Sequence, residues 1–164
     1  MTSKRPHRPT FKEVTRRLKA QPSPQPYSVV LTESAKAVYL ELAEQSARAE
    51  ASDDPGNQHC TTFRMVEDAV HRLIPADPTN GKYALHEPLS DVYRIAKGRL
   101  RIAWTVSVEH RQVLILFISN SPRKDGDARD PYVILNAMAR AGYLTKIMED
   151  WRRALHVPPN APVN

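Results

Sequence analysis

The chain has 164 residues, enough for one folded unit with a substantial core, and its apolar fraction of 41% and charged fraction of 26% are ordinary for a soluble globular protein. No apolar run reaches the ~20 residues of a membrane span, and the basic N-terminus lacks the apolar stretch of a secretory signal. Cys60 stands alone, which excludes an internal disulfide and a cysteine-built metal centre and fits a reducing cytoplasm. The formal charge of +6 and a pI near 9.6 point to an anionic partner, or else to a basic solubilising surface.

Residues 1–26 are rich in proline (Pro6, Pro9, Pro22, Pro24, Pro26) and poor in apolar side chains, and so read as an extended arm outside the core. A short helix over Phe11–Leu18 fits within it. Its charge is concentrated: Lys4, Arg5, Arg8, Lys12, Arg16, Arg17 and Lys19 are set against Glu13.

A single folded domain is expected over 27–156, followed by a disordered tail at 157–164. Tyr27–Leu31 reads as a first strand. A helix follows to about Glu50, capped by Thr32 or Ser34, with Ala35, Val38, Leu42 and Ala43 on one face. Pro55 and Gly56 break it. A second helix is expected from about Thr62 to Ile74, with Phe63, Val66, Val70, Leu73 and Ile74 as its stripe. Proline and glycine make 75–90 mostly loop.

Three strands come next. Asp91–Ala96 pairs with Arg99–Val106 through a tight Lys97–Gly98 turn. Leu100, Ile102, Trp104 and Val106 alternate onto a core face, and Arg99 and Arg101 onto the other. Gln112–Ser119 is apolar on both faces, as a central strand is. Asp130–Pro131 then starts a helix, with aspartate as cap and proline in the first turn, Ile134, Leu135, Met138 and Ala139 as its stripe, and Gly142 as its stop. A last helix over Thr145–Leu155 should bury Ile147, Trp151 and Leu155. The order strand, helix, helix, antiparallel meander predicts an α+β fold with helices on one face of a twisted sheet.

The chemistry-bearing residues gather after the apolar strands. Arg99 and Arg101 lie one strand period apart, and Lys97 shares their parity if the turn preserves it. Arg123 and Lys124 leave the end of the central strand, and Arg129 and Tyr132 flank a helix N-terminus, which attracts phosphate. Structural readings compete with each: charged strands discourage edge pairing, Asp130 is foremost a cap, and a tyrosine packs its ring with its hydroxyl in water. No phosphate-cradling glycine loop, nucleophile elbow or metal-ligand spacing occurs; His59 beside Cys60 is too sparse for zinc, and His86 and His110 stand isolated. Cations beside a phenol can cleave RNA without a metal. The 2′-hydroxyl attacks the adjacent phosphorus, and arginines stabilise the charge of the transition state.

The segments GRLRIAW, VLILFIS, the RK loop and DPYVILNAMARAGYLTKIMEDW, with their spacing, resemble the bacterial RelE/ParE superfamily of type II toxin–antitoxin toxins, and most of all its YhaV-type branch. The likeness covers about residues 85–155 and not the arm. It departs from the pattern at Leu100, where the family has an aromatic residue, at Arg94 and Lys97 in place of a Lys-x-Lys pair, and at the loop acids Asp125 and Asp127. The resemblance implies a RelE-like twisted antiparallel sheet of about four strands. It implies a cytoplasmic, metal-independent endoribonuclease without cofactor that inhibits translation by cutting mRNA, free or on the ribosome. It implies a cognate antitoxin, AbrB-like in this branch. By position, Arg99, Arg101, Arg123, Lys124 and Tyr132 correspond to its catalytic residues, and Arg94, Lys97 and Arg129 are the expected RNA contacts. The alternative is a non-enzymatic protein, either a ParE-like toxin that binds gyrase or a nucleic-acid-binding module.

If the arm adds phosphate contacts, deleting residues 1–20 weakens RNA binding and flattens the slope of log affinity against log salt. An unchanged slope in a filter-binding titration removes that role.

Overall fold

The computed structural model describes residues 25–54, 56–121 and 130–156. Residues 1–24 of the arm, with the expected short helix, and the tail fall outside these, as do residues 55 and 122–129. Strand β1 (Ser28–Leu31) leads into α1 (Glu33–Ala51), which Thr32 caps by accepting the Ala35 N–H at 3.2 Å. Ala35 and Leu42 are buried as their spacing predicts, with Ser46 one turn on.

Helix α2 (Gln58–Asp68) starts a turn earlier than expected, because Asn57 supplies a cap by accepting the His59 N–H at 2.9 Å. It continues through a π-helical turn, Ala69–Leu73, into Ile74–Ala76. The wider turn keeps Val66, Val70 and Ile74 in line, and all three are fully buried.

Strands β2 (Tyr93–Lys97), β3 (Leu100–Ser107) and β4 (Gln112–Ser119) form the meander, and helices α3 (Pro131–Arg140) and α4 (Tyr143–Leu155) close the domain. Gly142, at φ +77°, turns one helix into the next, a conformation that glycine adopts without strain. On α4 the deepest residues are Leu144 and Met148, while Ile147, Trp151 and Leu155 are half-buried.

The class is α+β, as expected, with a four-stranded sheet ordered β1-β4-β3-β2. Two details differ from the expectation. First, β1 runs parallel to β4, so the sheet is mixed. Two helices and a hairpin separate these strands in the chain, long enough for the crossover that parallel pairing requires. Second, helices cover both faces. Leu100, Ile102, Trp104, Val113, Ile115 and Ile118 pack against α1 and α2. Ala103, Leu114 and Leu116 pack against Leu135 of α3 and against Leu144 and Met148 of α4. A strand apolar on both sides demands this second layer, since one layer would leave half of its side chains in water.

A β-bulge separates the two sets. Ala103 pairs with Phe117 and Trp104 with Ile115, so Leu116 is an extra residue on β4. Leu116 and Phe117 therefore both join the α3/α4 layer, and Ile118 returns to the other.

Trp104 anchors the larger core. It is fully buried, its Nε1–H donates to the Pro78 carbonyl at 2.9 Å, and its ring meets Tyr83 and Tyr93 at centroid distances of 5.4 and 6.1 Å. Trp104→Ala should lower unfolding free energy by about 3–5 kcal/mol. Trp104→Phe, which leaves the Pro78 carbonyl without its donor, should cost about 1–3 kcal/mol. Urea unfolding midpoints check both.

Candidate active site

The β2–β3 hairpin sets the position of four of the expected residues. Lys97 pairs with Leu100, so the two-residue turn is Gly98–Arg99, one place later than predicted. Gly98 stands at φ +57°, which suits glycine at the first turn position. Arg99 thus leaves the strand and is exposed at the hairpin tip.

The pairing then divides the cations. Arg94 lies opposite Ala103, and Arg101 lies between Ala96 and Ser119. These residues share the face covered by α3 and α4. Lys97 alternates to the opposite face, where it lines a cleft of about 390 Å³ with Thr61, Met65 and Leu100. The adjoining cleft, about 300 Å³, contains Lys97, Arg64 and Asp68. There the Arg72 guanidinium, bonded to Asp68 at 2.5 and 2.8 Å, holds the Asp68 carboxyl below its ordinary range, and Lys97 adds to the effect. The turn thus puts the sheet between Lys97 and Arg101.

Arg94, Arg101 and Tyr132 lie on the α3 side of the sheet. Asp130 is buried and caps α3 by accepting the Tyr132 N–H at 2.9 Å, with Pro131 in the first turn. This fixes Tyr132 at the start of the helix, against β2. The Arg94 guanidinium lies over the Tyr132 ring, 4.7 Å from its centroid. The Tyr132 hydroxyl is enclosed and has no hydrogen-bond partner among the described residues. Leaving such a group unpaired costs about 1–3 kcal/mol. Arg101 is half-buried. Its Nη1 donates to the carbonyls of Gly98 at 2.5 Å and Leu100 at 2.8 Å, which folds the side chain back on the hairpin tip. Arg94, Arg101 and Tyr132 form a set of donors suited to an anion.

Residues 28–156 match a family model described as a toxin with endonuclease activity, of a toxin–antitoxin system. The chain belongs to the YhaV toxin family. It is a toxin of a toxin–antitoxin system with endonuclease activity, and its partner is a cognate antitoxin. Among solved structures, the RelBE2 toxin–antitoxin complex of Mycobacterium tuberculosis is similar at 18% identity and a TM-score of 0.41, over 57% of this chain and 96% of that one. The isolated RelE toxin of E. coli is similar at 15% identity and a TM-score of 0.44, over 70% of this chain and 98% of that one. None of the curated proteins matches the sequence. No helix among the described residues is long and apolar enough to cross a membrane.

Of the toxin's expected site residues, the fold brings Tyr132, Arg94 and Arg101 to one face, moves Arg99 to the turn and sends Lys97 to the other side. Arg123, Lys124 and Arg129 lie outside the described residues. Sequence reasoning passed over Ser119, which pairs with Arg101 and brings a hydroxyl to the same face; its Oγ accepts the Ser121 N–H at 3.1 Å. The bulge hides it, since strict alternation along β4 assigns Ser119 to the wrong layer. Asp130→Ala should destabilise the toxin by about 1–2 kcal/mol and Asp130→Ser should recover most of the loss. An unaltered denaturation midpoint in Asp130→Ala would show that the cap does not hold α3.

Proposed function

We propose that the toxin is a metal-independent endoribonuclease that cuts mRNA and so inhibits translation in the cytoplasm. The observation that carries this reading is Arg94 stacked on Tyr132, whose hydroxyl has no partner among the described residues, with Arg101 on the same sheet face. Guanidinium groups recruit phosphate directly, whereas a metal ion needs carboxylate or imidazole ligands, and none of Arg94, Arg101 and Tyr132 supplies one. The substrate's own 2′-hydroxyl serves as nucleophile. Its oxygen bonds to the adjacent phosphorus, its proton passes to a base, the P–O5′ bond breaks, and the 5′-oxygen takes up a proton. The products are a 2′,3′-cyclic phosphate and a 5′-hydroxyl.

In this scheme Arg101 and Arg94 neutralise the charge that grows on the phosphoryl oxygens. The Tyr132 ring is the platform for Arg94, and its phenol is the proton-transfer group. Arg123 and Lys124, together with Arg99 at the hairpin tip, complete the catalytic set by family position. Arg129 binds a flanking phosphate, and Lys97, on the other side of the sheet, stands apart from this site. The antitoxin is an AbrB-like protein, as the likeness over 85–155 implies.

The test is incubation of purified toxin with a defined mRNA in EDTA, with and without ribosomes, followed by mapping of the ends. Cyclic-phosphate or 3′-phosphate ends are expected, with Arg101→Ala reducing the rate by about 100-fold or more, the size of one lost transition-state donor. Tyr132→Phe separates the two roles of that residue: loss of rate assigns the hydroxyl to chemistry, and full rate leaves only the platform. RNA intact under both conditions would reject the ribonuclease reading in favour of a target-binding toxin, with gyrase the next candidate.

A further inference from the structure

At the end of the molecule away from the Gly98–Arg99 turn, the fold gathers three groups far apart in sequence. Glu109 and His110 belong to the β3–β4 turn, and His156 is the C-cap of α4. Their ligand atoms all lie within 4.8 Å of one another. His156 Nε2 is 3.9 Å from a Glu109 carboxylate oxygen, and the two imidazole rings meet edge to face at 4.7 Å.

We propose that Glu109, His110 and His156 form a binding site for a zinc-class divalent cation. Two imidazoles and one carboxylate are a donor set such ions take, with water in the fourth position. The protein's other contacts already orient both rings. His156 Nδ1 lies 2.7 Å from the Arg152 carbonyl, which can only accept, so Nδ1 carries the proton and Nε2 is left as the ligand. His110 Nδ1 lies 3.0 Å from the Ser107 hydroxyl, which can donate or accept; when Nδ1 donates to it, Nε2 is left for the metal. Bonds of about 2.0–2.2 Å to a tetrahedral ion put neighbouring ligand atoms about 3.3–3.5 Å apart. Reaching that spacing takes only a small rotation of Glu109 and His156, which are exposed.

The local field favours a cation as well. His156 sits at the negative end of the α4 dipole. Both arginines of that last turn are paired with acids, Arg152 with Asp91 at 3.8 Å and Arg153 with Asp150 at 3.6 Å. A bound ion ties the end of α4 to the β3–β4 turn. It reinforces the Trp151 Nε1–H bond to Gln112 Oε1 at 2.9 Å and steadies the α3/α4 layer that presents Tyr132. The site acts on the fold and takes no part in cleavage.

Titration of untagged, chelator-stripped full-length toxin with zinc chloride tests this, read by calorimetry, metal content and thermal unfolding. One zinc per chain is expected. At a free concentration 100-fold above the dissociation constant, the melting temperature should rise by about 5–10 °C. His110→Ala, His156→Ala and Glu109→Gln should each weaken zinc binding by about 10-fold or more, and His59→Ala should leave it unchanged. Cobalt substitution should give the intense visible bands of four-coordinate geometry in the wild-type chain and not in His156→Ala. Glu109→Gln and His156→Ala alter exposed side chains, so they report on the site even if His110→Ala unfolds. Wild-type affinity in His156→Ala, or no zinc bound at 100 µM by a folded wild-type chain, overturns the proposal.

Discussion

Strand β4 carries large apolar side chains on both faces, and neither can be left in water. Val113, Ile115 and Ile118 enter the layer beneath α1 and α2, and Leu114 and Leu116 the layer beneath α3 and α4. The hydrophobic effect therefore requires two helical layers and not one. The bulge at Leu116 lets the strand serve both, because the extra residue changes the alternation midway along it. Once α3 must cover β3 and β4, its first turn arrives beside β2, and Tyr132 comes to lie under Arg94.

The charge logic of the toxin follows from that packing. The sheet separates its cations into two groups. Lys97 and Arg64 face a cleft in which Asp68 is already committed to Arg72. Arg94 and Arg101 face the other way, the side on which Asp130 is buried as the cap of α3. One guanidinium rests on an aromatic face and the other on two carbonyls. Both contacts position a cation without neutralising it. Family membership gives an endonuclease toxin, and the proposed phosphate-binding role of this face accords with it.

Much of this architecture is legible in the sequence because local rules dominate it. The Thr32 cap, the Asp130–Pro131 start, the Gly142 stop and the stripe Val66, Val70, Ile74 each rest on residues a few places apart, and the fold keeps them all. Local rules also give the limits of the candidate site. Tyr132 is marked by its helix start, and Arg94 and Arg101 by their strands. Their meeting is not marked, because it depends on which helix covers which face. The hairpin shows how small the margin is. A shift of one residue, from Lys97–Gly98 to Gly98–Arg99, removes Arg99 from the strand and puts Lys97 across the sheet from Arg101.

The sequence by itself determined the helices, the strands, the α+β class and the family likeness, since periodicity, caps and motif spacing are properties of neighbouring residues. The tertiary structure alone decided that β1 runs parallel to β4, that the helices form two layers and that β4 bulges at Leu116. It also decided which cations share a face with Tyr132, and it brought His110 to His156. Each of these is a contact between segments distant in the chain. Such contacts are set by burying the largest apolar area with the fewest unpaired polar groups, a condition on the whole fold that no short stretch of sequence carries.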